Sequence, residues 1–547
     1  MGRLVGTISW HCYPWKLSYS SSSNVRRMIY RLGHNGSNTE NCESWGSRRM
    51  SFARAKKRGK SARKFYVPKA YQHECIRFGI RNAIAGFFLA PGLGKTSISL
   101  FIFKILKSLG IVDEALILAK RRIVYEVWPP ELKKWKQLRK LKGVVVHGKD
   151  KGKRLLEEAD LRFMNYEGLS LLVDRSGKQW KLTELGRKFF KRGKKIMLII
   201  DESSKLRHTK TGRYKRLKKI LDRFVRRYIL TGSPAPNGLL NLFGQIYVLD
   251  FGQALGRFIT QYKQEFFYPS GYGGRDWKLR PGAEKLIFKR LRPLVLRYGQ
   301  DQLDLPPLSF VDIKVSLPTE ARRMYDEMEQ EYVTAWKNGE VVAANAAVAS
   351  GKCRQIANGG VFYDKDGDIV ANVKKSRGWK TVHDVKCEAL VELLEELEGE
   401  PALISFEFKH DKERLIKYFK KHAPQFAKAP FVDGKMKDSE FQKIKRQWDR
   451  GELPAVFGQP ESVAHGLNMQ GKGGIVIFFA LTYNLENYEQ FIQRVWRQGQ
   501  KRRVIVYRII ARNTVDVDQV NALKMKDHTQ QALLTAMEKR HGFRKAA

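Results

Sequence analysis

Four short stretches of this chain carry the residue types that phosphate chemistry needs. The first runs Phe-Phe-Leu-Ala-Pro-Gly-Leu-Gly-Lys-Thr-Ser over residues 87–97. An apolar run leads into a glycine-rich turn, and Ile98, Leu100, Phe101 and Ile102 follow at roughly helical spacing. That pattern reads as strand, loop and helix start. A helix N-terminus offers unpaired N–H groups and a partial positive charge to an anion. Gly92 and Gly94 let the backbone close around phosphate oxygens, Lys95 can reach the β- and γ-phosphates, and the Thr96 hydroxyl suits Mg²⁺. The full phosphate-loop pattern would place a glycine where Leu89 stands.

The second stretch is a run of five apolar residues, Ile196 to Ile200, that ends in Asp201 and Glu202. Asp201 can enter a Mg²⁺ shell and Glu202 can polarise an attacking water. In the third, a strand ends in two hydroxyls, Thr231 and Ser233, on a turn stiffened by Gly232 and Pro234. Such hydroxyls can sense the γ-phosphate side and relay it. The fourth spans Tyr488 to Gln500 and reads as one helix. Tyr488, Phe491, Ile492 and Val495 form its buried stripe, and Gln490, Gln493, Arg494 and Arg497 share the other face. Two arginines one turn apart suit a pair of phosphate-sensing fingers, a device worth about 10³–10⁵ in rate. Upstream of the phosphate loop, Gln72 has an amide that both donates and accepts, so it can read an adenine edge.

The elements that position these residues alternate. Short apolar strands at Ala115–Leu118 and Gly143–Val146 are separated by helical stretches, and a second set begins at Ala402–Ser405 and continues to Ile475–Phe479. This is the pattern of parallel, doubly wound α/β sheets, whose ligands sit at the carboxyl ends of strands.

Composition sets the partner class. Lys and Arg number 103 against 55 Asp and Glu, a net charge of +48, which points to a polyanion and first to nucleic acid. The longest apolar run, Ile475 to Leu481, falls far short of the ~20 residues that span a bilayer, so no membrane partner is expected. Five scattered cysteines without metal spacing fit a reducing compartment. No secretory signal layout opens the chain, and Met28 or Met50 could serve as its start as well as Met1.

Gly-Leu-Gly-Lys-Thr, Asp-Glu-Ser-Ser, Leu-Thr-Gly-Ser-Pro and Gln-Arg-Val-Trp-Arg-Gln-Gly-Gln, in this order, resemble the motor motifs of superfamily-two helicases, and most of all the Swi/Snf-like branch. Ser203-Ser204 stand where the commoner motif II has Ala-His. Ser462 to Asn468 resembles motif V and Tyr488 to Gln500 motif VI. The resemblance implies two tandem RecA-like lobes with a helical insertion between them and ATP with Mg²⁺ in the cleft. It implies Ser97, Gly466 and Gln490 as further nucleotide contacts, Arg494 and Arg497 as fingers, and Thr231 and Ser233 as coupling residues. The expected organisation is a flexible basic arm over 1–64, lobe one over 65–245, a basic helical insertion over 246–380 that grips duplex backbone, lobe two over 381–525, and a basic tail over 526–547. The expected activity is a nucleic-acid-stimulated ATPase, a helicase or double-stranded DNA translocase of phage or bacterial type. An RNA helicase and a non-catalytic basic nucleic-acid-binding protein are the alternatives. The expected location is the cytoplasm of a bacterial or phage-infected cell, or the nucleus of a eukaryotic host.

Overall fold

Two parallel sheets, each wrapped by helices, organise the chain. The structure, a computed structural model, describes residues 63–270, 276–337, 343–370, 376–434, 436, 438–463 and 469–538. Pro68–Ala547 form one compact unit, to which everything below refers. The arm expected over 1–64 lies outside the described residues save for its last two positions.

The first sheet collects β1 (Ile84–Leu89), β2 (Glu114–Ala119), β3 (Gly143–Val146) and β4 (Leu161–Asn165). A side hairpin, β5 (Val173–Ser176) and β6 (Gln179–Leu182), precedes β7 (Ile196–Asp201) and β8 (Arg226–Thr231). A second hairpin, β9 (Phe267–Ser270) and β10 (Asp276–Leu279), precedes β11 (Val295–Tyr298). The sheet order is β11-β1-β8-β7-β2-β4-β3, with every pairing parallel. Parallel neighbours need crossovers, and the crossover helices cover both faces, which is why these strands are near-continuous apolar runs. All six residues of β7 are buried. Leu116, Leu118, Ile196, Leu198, Ile200 and Ile229 meet in one core.

The second sheet is built the same way from β12 (Leu308–Val315), β16 (Ala402–Ser405), β17 (Phe431–Val432), β18 (Ala455–Gly458), β19 (Ile475–Phe478) and β20 (Val504–Ala511). Its order is β12-β20-β19-β16-β18-β17, again parallel throughout. Alternation along each strand divides the side chains between two cores. Leu403, Val456, Val476 and Phe478 enter one, while Ala402, Ile404, Ala455 and Ile477 enter the other. Between β12 and β16 lies a small antiparallel sheet of β13 (Gly360–Tyr363), β14 (Ile369–Val370) and β15 (Gly378–Thr381).

The region expected as one helical insertion over 246–380 divides between the lobes. It does hold helices, among them Ile259–Phe266, Ala283–Leu291, Thr319–Lys337 and Ala343–Asn358. Yet β11 returns to the edge of the first sheet, pairing Val295 with Gly86, and β12 is an edge strand of the second, pairing Leu308 with Val504. The chain therefore passes from one lobe to the other between Tyr298 and Leu308. The cause is local: Val295-Leu296-Arg297-Tyr298 is a fully buried strand. Two of the basic residues of this region are already engaged within the fold, since Arg297 is buried with the strand and Arg290 is paired with Glu265. At the other end, residues 526–538 are no separate tail but continue the helix Val515–Glu538.

Candidate active site

The phosphate loop follows β1 directly. Leu89 is the last, fully buried residue of that strand. A glycine there would serve no loop geometry, which accounts for the departure from the full pattern. The two glycines that remain both need their freedom, with φ of +89° at Gly92 and +81° at Gly94. Gly94 caps the helix Lys95–Ser108, and Ile98 N donates to Gly94 O at 2.9 Å. The Lys95 ammonium is folded back on the loop, donating to Leu89 O at 2.7 Å. Thr96 lies in the first turn of the same helix. Ser97, expected on the nucleotide, is buried and bonded to Glu131. Gln72 braces the loop rather than standing free: its Nε2 donates to Leu93 O at 3.1 Å and its Oε1 accepts from Lys69 N.

The carboxylates emerge where the sheet order requires, at the carboxyl end of β7 two strands from β1. Trp128 Nε1 donates to Asp201 Oδ2 at 3.0 Å. Tyr166 reaches from the end of β4 and donates to the backbone oxygens of Asp201 at 2.6 Å and Glu202 at 3.2 Å. Glu202 itself is left-handed, φ +55°, a conformation that costs a non-glycine residue about 1–3 kcal/mol and clusters at functional sites. Burial, then the neighbouring Glu202, pushes the Asp201 carboxyl up to about 6 against the pull of Lys95. Two crowded acids beside a phosphate loop are a donor set that fits a divalent cation.

The second lobe closes on this edge. The helix Leu485–Ile492 ends sooner than the sequence suggested. Gln493 to Gln498 continue in turns, with Arg494 N on Phe491 O and Val495 N on Ile492 O, before Gly499 at φ +95°. Arg494 and Arg497 therefore stand on a tightened turn beyond the helix, not on its polar face. That turn faces the phosphate loop: a Cβ built on Gly92 would lie 3.8 Å from Gln498 Cβ. The Lys95 ammonium is pushed below the usual lysine range by burial, held up by Glu202 and Asp201, and pushed down further by Arg497 and Arg494. Burial and then Arg497 push the Arg494 guanidinium down to about 9, and Glu202 opposes them. Five charged side chains from two lobes thus share one cleft, in which Asp201 is buried and the other four are half-buried.

Direct bonds tie the lobes together. Ser233 Oγ donates to Glu489 Oε2 at 2.7 Å, and Ser204 Oγ donates to Glu486 Oε1 at 2.8 Å. Thr231 is fully buried and accepts from Ser233 N, so it shapes the turn that presents Ser233. Gln490 is buried, with its Nε2 on Glu486 Oε1 at 3.2 Å. Gly466 lies outside the described residues. Beside this contact a cavity of about 800 Å³ is lined by Ala90, Pro91, Tyr298, Ile492 and Trp496.

Sequence reasoning passed over Lys120, Trp128, Tyr166, Glu486 and Glu489. Lys120 follows β2, and burial pushes its ammonium down to about 8, while Glu202 and Glu486 hold it up. Lys120 and Tyr166 each follow a strand at the sheet's carboxyl edge, which is the signal that could have found them.

Residues 71–359 match the model of the SNF2-related domain, and residues 385–499 that of the helicase conserved C-terminal domain. This chain is a member of the SNF2-related family. It is, as such, an ATP hydrolase with the two-lobe core of SNF2-type helicases. Protein p41 of Acyrthosiphon pisum secondary endosymbiont phage 1 is 31% identical over 87% of this chain and 100% of its own length. The DNA repair and recombination protein RAD54-like of Gallus gallus is 21% identical over 74% of this chain and 57% of its own. The SWI2/SNF2 ATPase core of Sulfolobus solfataricus, solved in complex with dsDNA, is 20% identical, covers 86% of this chain with 94% of its own, and superposes with a TM-score of 0.37.

Proposed function

We propose that this SNF2-family member is a nucleic-acid-stimulated ATPase that moves along duplex DNA by closing its lobes on ATP and releasing them on hydrolysis. The observation that carries the reading is the shared cleft. The turn that carries Arg494 and Arg497 lies against the phosphate loop, with Gln498 beside Gly92, and Ser204 and Ser233, which follow Asp201 and Thr231, bond Glu486 and Glu489 of the second lobe.

In this reading the N–H groups of the Gly92–Thr96 turn and the Lys95 ammonium hold the β- and γ-phosphates, with Gln72 fixing the loop from behind. Thr96 and Asp201 would hold Mg²⁺, which supplies neutralisation of phosphate charge when bound. Glu202 orients the attacking water and takes its proton. Arg494 and Arg497 meet the negative charge that develops on the transferred group, donors already in place before the reaction. Their arrival from the other lobe makes hydrolysis depend on closure, and loss of the γ-phosphate removes what holds the lobes together.

The net charge of +48 supports a nucleic-acid track gripped through its phosphates. Duplex DNA is favoured by the family branch and by a relative named for DNA repair and recombination. A phage relative matched along its whole length supports action in the cytoplasm of an infected bacterium. The test is ATP turnover with duplex DNA, single-stranded DNA and RNA as separate activators. Duplex DNA should stimulate most, with stimulation falling steeply as salt rises. Preference for RNA would replace the reading with an RNA helicase, and no response to any of the three would overturn it.

A further inference from the structure

We propose that Glu486 is a positioning residue that sets the Arg494 finger in register with motif II of the opposite lobe. The inference rests on the reading of the cleft as the ATP site. Glu486 sits in the first turn of the helix Leu485–Ile492 and is 4% exposed. A carboxylate there is favoured by the helix dipole, yet its hydrogen bonds go elsewhere. Oε1 accepts from Ser204 Oγ at 2.8 Å and Oε2 from Arg207 Nη1 at 3.2 Å, both from the first lobe. Oε1 also accepts from Gln490 Nε2 at 3.2 Å. Gln490 O in turn accepts from Arg494 Nε at 3.0 Å.

These bonds make a continuous line. It starts two residues after Glu202, crosses the cleft at Ser204 and Glu486, runs one helical turn to Gln490, and ends on the guanidinium of Arg494. Ser203-Ser204 stand where the commoner motif II has Ala-His, and Ser204 makes the crossing to Glu486 alongside Arg207. Ser203 turns the other way and bonds Gln245 within its own lobe. A fully buried hydroxyl on a buried carboxylate is a short, directional link, and it exists only while the lobes are together. Glu486 therefore reports closure to Arg494 without touching the nucleotide.

The experiment compares Glu486→Ala, Glu486→Gln, Ser204→Ala and the Ser204→Ala/Glu486→Ala double variant in the full chain. Steady-state ATP turnover with duplex DNA, binding of a fluorescent ATP analogue and thermal midpoint are read for each. Glu486→Ala should lower kcat about tenfold or more, with KM and analogue binding within about threefold of wild type. Glu486→Gln should recover part of the loss, because its amide oxygen can still accept from Ser204. The double variant should be no slower than Glu486→Ala alone, since both changes cut one line. Wild-type kcat in Glu486→Ala would overturn the proposal. So would losses that multiply, or a KM rise without a kcat loss. Should Glu486→Ala fail to fold, Ser204→Ala against Ser204→Ala/Glu486→Gln tests the same coupling. Normal turnover by Lys95→Ala in the same assay would overturn the cleft assignment itself and the coupling with it.

Discussion

Ser233 of the first lobe donates its hydroxyl to Glu489 of the second at 2.7 Å, across a cleft whose two sides are 256 residues apart in sequence. A hydrogen bond to a charged group is worth about 1.5–3 kcal/mol. Ser233→Ala removes it while leaving the turn, which rests on the Thr231 hydroxyl and Pro234. The expected result is a drop of about tenfold in DNA-stimulated ATP turnover, with basal turnover and the thermal midpoint little changed. Paired rate measurements with and without duplex DNA check it.

Asp201 lends itself to a test by pH. Its carboxyl is pushed up to about 6 by burial and by Glu202, above the ordinary ~3.9 of the unfolded chain. A raised acid pKa means that the charged form costs stability, fully so above pH 6 and less as pH falls towards 4. Asp201→Asn should therefore raise the thermal midpoint at pH 8 in chelator and abolish ATP turnover. The gain in midpoint should shrink between pH 6 and pH 4. Asn can keep the bond from Trp128, so packing is preserved. Melting curves of both proteins across that range decide it.

Gly94 is constrained twice. Its φ is +81°, and a Cβ there would stand 2.8 Å from Gln72 Nε2. Gly94→Ala should displace Gln72 from Leu93 and weaken nucleotide binding by tenfold or more, an effect of about 1.4 kcal/mol or greater. Equilibrium binding of an ATP analogue measures it. Gly110, whose φ is +68° with open space around it, is the control for backbone strain alone.

Lys386 and Asp516 form a buried ion pair at 2.6 Å in the second lobe, with side chains 0% and 4% exposed. Asp516 also accepts from Ala511 N at 2.9 Å, so the pair pins the helix Val515–Glu538 to the end of β20. Removing one partner of such a pair strands a buried charge and costs about 3–5 kcal/mol. Lys386→Met should lower the urea midpoint accordingly, and Lys386→Met/Asp516→Asn should recover much of the loss.

Much of this was legible before any coordinates. The strand Ile196–Asp201 and the turn at Thr231 were readable because a buried parallel strand is a short apolar run and a polar residue at its end marks the ligand edge. Glycines just before a Lys-Thr at a helix start are likewise a local pattern. What the sequence hid was non-local. β11 and β12 complete different sheets, and only tertiary pairing separates them from the helices around them. Arg494 and Arg497 keep their spacing but stand beyond the helix, because after Ile492 the backbone changes to the tighter bonds of Arg494 N to Phe491 O and Val495 N to Ile492 O. Glu486 and Glu489 carry no local signal, since nothing in the sequence tells which helix face meets another lobe.

The central claim is that the first lobe binds the nucleotide and the second completes the site with its arginines. Arg497→Ala tests it most directly, through single-turnover ATP hydrolysis with duplex DNA beside equilibrium binding of ATP. The account predicts a hydrolysis rate lower by about 10³, with ATP affinity within a few-fold of wild type. An unchanged rate, or affinity and rate falling together, would contradict it.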